Sequence, residues 1–220
     1  MTKKLKIDFV SDIACPWCVI GLGGLDRALE NLRGDVEAEI TFHPFELNPD
    51  MRAGGENTLE HIVAKYRIPA AEARVNRERI KARAADVGFT MNTSDDSRIY
   101  NTFDAHRLLA WAAGEGDGRQ HALKQQLFVL NFTEQADPGD RDALVAAAGK
   151  VGLDELAARA VLESDRFADE VRRDEALWQG RGITGVPAVV VNDRYLISGG
   201  QPAEEFERQL RKIAASGEDA

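Results

Sequence analysis

Cysteine is nearly absent from this chain: two occur in 220 residues, at positions 15 and 18, too few for the disulfide framework of a small secreted protein. Basic charge is also scarce. Lys and Arg number 28 against 37 Asp and Glu, a formal net charge of -9, so the long-range field repels phosphate backbones and anionic membrane surfaces. Neither nucleic acid nor membrane is therefore expected as a partner. Apolar runs stop far short of the ~20 residues that span a bilayer. Met1 to Lys6 lead into a strand pattern without the apolar stretch of a signal peptide, and a cytoplasmic location is the expectation. Histidine offers no ligand set: His43, His61, His106 and His121 include no pair at metal-binding spacing, and without a third cysteine a zinc site lacks its ligands. What remains is ordinary globular composition, 44% apolar and 30% charged, which suits one large or two small domains.

Leu5 to Val10 alternate apolar and polar residues as a half-buried strand requires. Pro16 stands where a first helical turn begins, and Leu22, Leu25, Leu29 and Leu32 recur at helical spacing until Gly34. Val36, Ala38, Ile40 and Phe42 alternate again through His43, closing a β-α-β unit whose strands should pair in parallel. From Asn57 to about Gly182 the pattern is helical, broken at Pro69, Gly88, Gly114 to Gly118 and Asp137-Pro138-Gly139. Its apolar faces read as Leu59, Ile62, Val63 and Tyr66; as Ile99, Phe103, His106, Leu109 and Ala110; and as Leu123, Leu127, Val129 and Leu130. Residues 88 to 93 are a candidate extended piece. Ala188 to Val191 and Tyr195 to Ile197 flank Asn192-Asp193 as a β-hairpin. Pro202 to about Ala215 forms a helix that should bury Phe206, Leu210 and Ile213, with the acidic tail Gly217 to Ala220 expected to fray. This order predicts an α/β protein with a thioredoxin-like fold and an inserted all-helical domain. Residues 1–50 and 183–220 would form the discontinuous thioredoxin-like domain and 51–182 the insertion.

Cys15-Pro16-Trp17-Cys18 falls directly after the first strand and at the start of a helix, the setting in which a Cys-X-X-Cys pair reads as a redox motif. Residues i and i+3 lie about one turn apart, so their Cα separation can fall within the ~4.4–6.8 Å a disulfide tolerates. Cys15 sits on the N-cap side, where free amides and the positive end of the helix dipole favour negative charge on sulfur; it is the expected nucleophile. Cys18, one turn further in, would be shielded and suits a resolving thiol. Two buried structural cysteines, or half of a zinc site, would show the same spacing. No Lys, Arg or His lies inside the motif, so a cation would have to come from elsewhere in the fold.

Pro187 at the mouth of a Val-rich strand points to a cis Val186-Pro187 bond beside the dithiol, with the Val186 backbone exposed to pair with an extended substrate; a rigid loop is the plainer alternative. Trp17, between the cysteines, reads as a surface for substrate side chains or as a shield for sulfur, with plain packing as the alternative. Asp12 reads as a loop cap, His43 as a solvated strand-end residue, and His106 as a core histidine. Trp111 and Trp178 read as core aromatics.

Five stretches, Asp12-Ile-Ala-Cys-Pro-Trp-Cys18, Phe42-His-Pro-Phe-Glu-Leu-Asn-Pro49, Asn101-Thr-Phe-Asp-Ala-His-Arg-Leu108, Gly185-Val-Pro187 and Gly199-Gly-Gln-Pro202, resemble the DsbA-like thiol-disulfide oxidoreductases and, within them, the cytoplasmic FrnE-type branch. The resemblance implies catalytic roles for Cys15 and Cys18, with Pro187 as the cis proline. Asn101 and His106, on an inserted helix near the groove, would join Pro16, Trp17 and Val186 as substrate-binding residues. The implied partners are protein or peptide thiols and disulfides. No bound cofactor or metal is expected, glutathione could serve as co-substrate, and an apolar groove over Trp17 would be compatible with a peptide site or a homodimer contact. The branch is also similar to kappa-class glutathione transferases and 2-hydroxychromene-2-carboxylate isomerases, so a glutathione-dependent transferase or isomerase is the alternative. There Cys15 or a nearby hydroxyl such as Ser11 would handle the glutathione thiolate.

Overall fold

The computed structural model describes residues 2–116 and 118–216; the acidic tail lies outside them. Strand β1 (Lys3–Ser11) runs into helix α1 (Pro16–Asn31), and the chain returns through β2 (Val36–Pro44). These are the elements read from the alternation and the Leu spacing. β1 pairs in parallel with β2, Ile7 opposite Ile40 and Phe9 opposite Phe42. On its other side β1 pairs antiparallel with β5 (Ala188–Val191), which forms a hairpin with β6 (Tyr195–Ser198). The sheet order is β2-β1-β5-β6, so the central strands come from opposite ends of the chain. α9 (Ala203–Ala215) packs along α1 and buries Phe206, Leu210 and Ile213 as expected.

Strand alternation divides the core. Leu5, Ile7, Phe9, Val189 and Val191 face α1 and Phe206 in the main core, whereas Val10, Ala188 and Val190 face Trp178 and Ile183. Between the two halves of the sheet come α2 (Thr58–Tyr66), α3 (Ala70–Asp86), α4 (Phe103–Ala113), α5 (Arg119–Phe128), α6 (Arg141–Lys150), α7 (Glu155–Leu162) and α8 (Ala168–Gly180). α5 runs on into a wider turn at Val129–Thr133. Side-chain caps start several of these helices, Asn57 for α2, Asp140 for α6 and Asp154 for α7.

Two local expectations fail. Ile99 does not belong to the α4 face: Arg98–Ile99 form a short strand, β4, paired with Glu56–Asn57, β3. A turn at Ser94–Ser97, closed by Ser94 N–H donating to Ser97 Oγ at 2.8 Å, sets up that pairing. Residues 88–93 form no strand; Asn92 spends its amide on the Phe132 carbonyl at 2.8 Å instead of a ladder.

Helix α1 carries three glycines in its interior at a cost of ~0.5–1 kcal/mol each relative to alanine, and close approach bears on all three, a Cβ on Gly23 standing 2.8 Å from Val87 Cβ. A Cβ on Gly21 would stand 3.0 Å from the Pro187 ring, and one on Gly24 would come within 2.5 Å of the Gln201 carbonyl oxygen. These contacts fix α1, and with it the cysteines, against the Pro187 loop and the start of α9.

Candidate active site

Cys15 is the N-cap of α1 with extended backbone (φ -93°, ψ 110°), and Pro16 follows at the first helical position. Proline suits that place because its φ is already helical and its missing N–H would have had no partner. Cys18 N–H donates to the Cys15 carbonyl at 3.0 Å, tightening the first turn. Both cysteines are free thiols. Cys15 Sγ lies 3.6 Å from the Val186 carbonyl oxygen, which accepts from it, and the Val186-Pro187 bond is cis. Cys18 is fully buried; burial, followed by the neighbouring Cys15, pushes its thiol well above the ordinary value.

The five sequence stretches converge here. Gly200 packs on Trp17, where a Cβ would stand 2.8 Å from the Trp17 carbonyl oxygen and 3.2 Å from its ring. Gly199 N–H donates to the Pro187 carbonyl at 2.9 Å. Beneath α1, Asp12 is 1% exposed. Its carboxylate accepts from the Leu47 amide at 2.7 Å, the Thr102 hydroxyl at 2.8 Å and the Ala14 amide at 3.2 Å. Burial by itself would raise Asp12, but the adjacent His106 imidazole, the Leu47 amide and the Thr102 hydroxyl more than offset it and hold the carboxyl below its usual value. Asp12 therefore caps its own loop, as expected, and also ties that loop to the segments after β2 and before α4.

His106 is buried, with Nε2 3.4 Å from Asp12 Oδ1 but outside hydrogen-bonding geometry. Asn101 is tied to the wall: Nδ2 donates to the Pro49 carbonyl at 3.3 Å, and Oδ1 accepts from the Phe103 amide at 2.9 Å. Pro16 borders an apolar cavity of about 170 Å³ between α1, α2 and α3, with Leu59, Ile62, Ile80 and Phe132 among its walls. Trp17 is half-buried against the core on the other side of the motif.

His43 corrects its reading as a solvated residue. Its ring is only 15% exposed and lies between two carboxylates, Nε2 2.9 Å from Asp8 and Nδ1 2.8 Å from Asp174, with the Trp178 ring 4.8 Å away. Burial favours the neutral imidazole, yet Asp174 and Asp8 outweigh it and hold His43 above its ordinary value. Ser11 is 0% exposed within the sheet, opposite Pro44, and its hydroxyl has no hydrogen-bond partner among the described residues.

The cation missing from the motif comes from α5. Lys124 is fully buried, its Nζ has no hydrogen-bond partner among the described residues, and it rests 5.1 Å from the Phe128 ring centroid. Burial lowers it to about 8, against the pull of Cys18, Asp12 and Cys15. Sequence reading passed over it, although Lys124 falls on the helical arc shared by Leu123, Leu127 and Phe128, where a solvated lysine has no place.

A family model described as the DSBA-like thioredoxin domain matches residues 6–211. The chain is similar to the uncharacterized protein YwbO of Bacillus subtilis, 26% identical over 211 residues and covering 96% of each chain. Among solved structures it is similar to the probable DsbA oxidoreductase SCO1869 of Streptomyces coelicolor, at 34% identity and a TM-score of 0.86, with 98% of this chain and 92% of that one covered. It also shares the fold of the cytosolic disulfide reductase DsbM of Pseudomonas aeruginosa, solved with GSH, at 15% identity and a TM-score of 0.65 over 96% of this chain and 99% of that one. With a family match across almost its whole length, a thioredoxin-type sheet interrupted by helices, and a cysteine pair at the head of α1, the chain belongs to the DsbA-like thioredoxin-domain family of oxidoreductases.

Proposed function

We propose that the protein is a cytoplasmic thiol-disulfide oxidoreductase or isomerase that exchanges disulfides with protein or peptide substrates through Cys15-Pro16-Trp17-Cys18. One observation carries this reading. Both thiols are buried, but they differ in place: Cys15, 4% exposed, caps the helix 3.6 Å from the Val186 carbonyl oxygen, while Cys18, 0% exposed, lies within the first turn behind it. Cys15 thiolate attacks a substrate disulfide and forms a mixed disulfide, expelling one substrate thiolate. Cys18 then attacks Cys15 Sγ, closes the intramolecular disulfide and releases the second substrate thiolate. The backbone at Val186 and Pro187 would align an extended substrate segment. Pro16 and its apolar cavity would receive a neighbouring side chain, and Trp17 would bound the other side. Asn101 and His106 would act by holding the wall through Pro49 and Asp12. No bound cofactor is needed, since the electron pair resides in the dithiol, and a small thiol such as glutathione would serve as co-substrate. The glutathione-dependent alternative would use Cys15 itself or a nearby hydroxyl such as Ser11, which is buried.

The test is dithiothreitol-driven insulin reduction together with trapping of a disulfide-bearing peptide. Wild type should turn over insulin and Cys15→Ser should not. Cys18→Ser should hold a peptide adduct under non-reducing conditions that Cys15→Ser does not form. Equal adducts from both variants would mean the nucleophile is misassigned, and glutathione conjugation persisting without insulin turnover would replace this reading with the alternative.

A further inference from the structure

Ala14 and Pro16, the two residues that flank Cys15, line the apolar cavity together with Leu59 and Ile62 from α2, Ile80 from α3 and Phe132 from the wide turn after α5. Its volume of about 170 Å³ exceeds the ~150 Å³ at which a cavity walled by Leu, Ile and Phe takes up benzene. Met91 and Arg77 also border it, and both favour an aromatic ring over an aliphatic chain, Met through sulfur–ring contact and Arg through its cationic face.

The charged groups on the wall already donate within the protein. Arg77 Nη1 donates to Asp95 at 2.7 Å, and Arg98 Nη2 donates to the carbonyls of Gly54 and Gly55 at 2.7 and 2.9 Å. The Ser97 hydroxyl donates to Gln135 Oε1, and Gln135 Nε2 donates to the carbonyls of Asn131 and Phe132, each at 3.2 Å. Those bonds accompany a left-handed Gln135 backbone, φ 58°, a conformation costly for a residue with a side chain, and they close the wide turn that carries Asn131. Turns of this width are frequent at functional sites. Here Asn131 Nδ2 donates to the Ile13 carbonyl at 3.3 Å, two residues before Cys15. Asn131 is half-buried on the cavity wall. With Nδ2 so placed, its Oδ1 is left as an acceptor that has no hydrogen-bond partner among the described residues.

We propose that the cavity and Asn131 form a specificity subsite for the dithiol: an aromatic side chain from a residue adjoining the substrate cysteine fills the cavity, and Asn131 Oδ1 accepts the backbone N–H of that residue. The proposal rests on the dithiol-exchange reading and names the substrate class it favours, a cysteine with an aromatic neighbour. Ala14 and Pro16 bracket the nucleophile and line the cavity at once, so the group that fills it belongs next to the sulfur under attack. A charged side chain is disfavoured there, because an ion taken from water needs a counter-charge and the two arginines already donate elsewhere. The Asn131 bond adds to those offered by the Val186 backbone and fixes the register of an extended peptide.

Reduced protein is mixed with short cysteine peptides carried as mixed disulfides with nitrothiobenzoate. Attack by Cys15 on the peptide sulfur forms the Cys15–peptide disulfide and expels the nitrothiobenzoate thiolate, whose absorbance gives the rate. Three peptides carry Phe before the cysteine, Phe after it, or Ala on both sides. One Phe peptide should react about tenfold or more faster than the Ala peptide below saturation, the scale of burying an aromatic side chain. N-methylation of that Phe should slow wild type about five- to tenfold and leave Asn131→Ala unmoved. Ala73→Leu, which fills the cavity from α3, should bring the Phe-to-Ala ratio close to one. Equal wild-type rates on Phe and Ala peptides would overturn the proposal, as would an equal N-methylation penalty in wild type and Asn131→Ala; the wild-type comparison stands even if a variant fails to fold. The mixed disulfide of mercaptoethanol with nitrothiobenzoate separates the two readings. Release from it with no preference among peptides defeats the subsite alone, whereas no release from any of these disulfides defeats the dithiol reading beneath it.

Discussion

Gln120 pairs with the backbone of Phe42 in both directions: the Phe42 amide donates to Oε1 at 3.2 Å, and Nε2 donates to the Phe42 carbonyl at 3.3 Å. One side-chain amide thus imitates a strand residue at the free edge of β2. It also anchors α5, one turn before Lys124, to the sheet that carries the dithiol. Gln120→Ala should lower unfolding free energy by about 1–3 kcal/mol, three part-buried hydrogen bonds being lost at once, the third from Nε2 to the Leu109 carbonyl at 3.2 Å. Urea titration measures this, and an unchanged midpoint would show that the pairing contributes nothing.

Gly24 and Gly180 should respond to alanine with opposite signs. Gly24→Ala places a Cβ on the Gln201 carbonyl oxygen; the backbone must move, and an expected loss of about 1–3 kcal/mol exceeds the helix-propensity gain of up to ~1 kcal/mol. At Gly180, in the last turn of α8, a Cβ meets nothing within 4 Å. Gly180→Ala should raise the midpoint slightly. The same sign for both substitutions would contradict the close-approach account of α1.

Asp12→Asn keeps the size of the side chain but turns an acceptor-only group into one that must point an NH₂ at a donor. It should destabilise the protein by about 3 kcal/mol, as expected when one member of a buried polar cluster is removed. Because Asp12 is held below its ordinary 3.8, its contribution is present above that value and is lost as pH falls through the lower folded one. Acid unfolding should therefore occur at higher pH in the variant than in the wild type.

His43 has the reverse sign. Its folded value lies above the ordinary 6.5, so the charged ring between Asp8 and Asp174 stabilises fully below 6.5, and that contribution disappears as pH rises through the folded value. His43→Gln should cost about 1–3 kcal/mol near pH 5.5 and progressively less above neutrality. Thermal melts of both proteins across that range test it; a difference independent of pH would mean that packing on Trp178, not charge, holds the ring.

The elements with strict periodicity were legible in the chain itself: β1 and β2 from alternation, α1 and α9 from their leucine and phenylalanine spacing, the β5–β6 hairpin from Asn192-Asp193. The cysteine pair was legible because its spacing is local. What escaped notice was non-local. Nothing near Lys124 in sequence mentions Cys18, and nothing near His43 predicts that Asp8 from the adjacent strand and Asp174 from α8 will enclose it. The two-residue pairing of Glu56–Asn57 with Arg98–Ile99 is too short to leave any period.

The placement of β1 between β2 and β5 bears on how the chain is synthesised. Lys6 and Asn192 meet, the Lys6 amide donating to Asn192 Oδ1, although they are 186 residues apart. A chain emerging from the ribosome can pair β1 with β2 early, and the helices between can collapse on contacts close in sequence, but one edge of the central strand waits for roughly the last seventh of the polypeptide. Through that interval Ile7 and Phe9 lack their β5 partners, and β1 presents unpaired backbone that another nascent copy could occupy. Translation that stalls before Ala188 therefore leaves the dithiol helix mounted on an open-edged sheet, a form prone to aggregate and dependent on chaperones until the hairpin arrives.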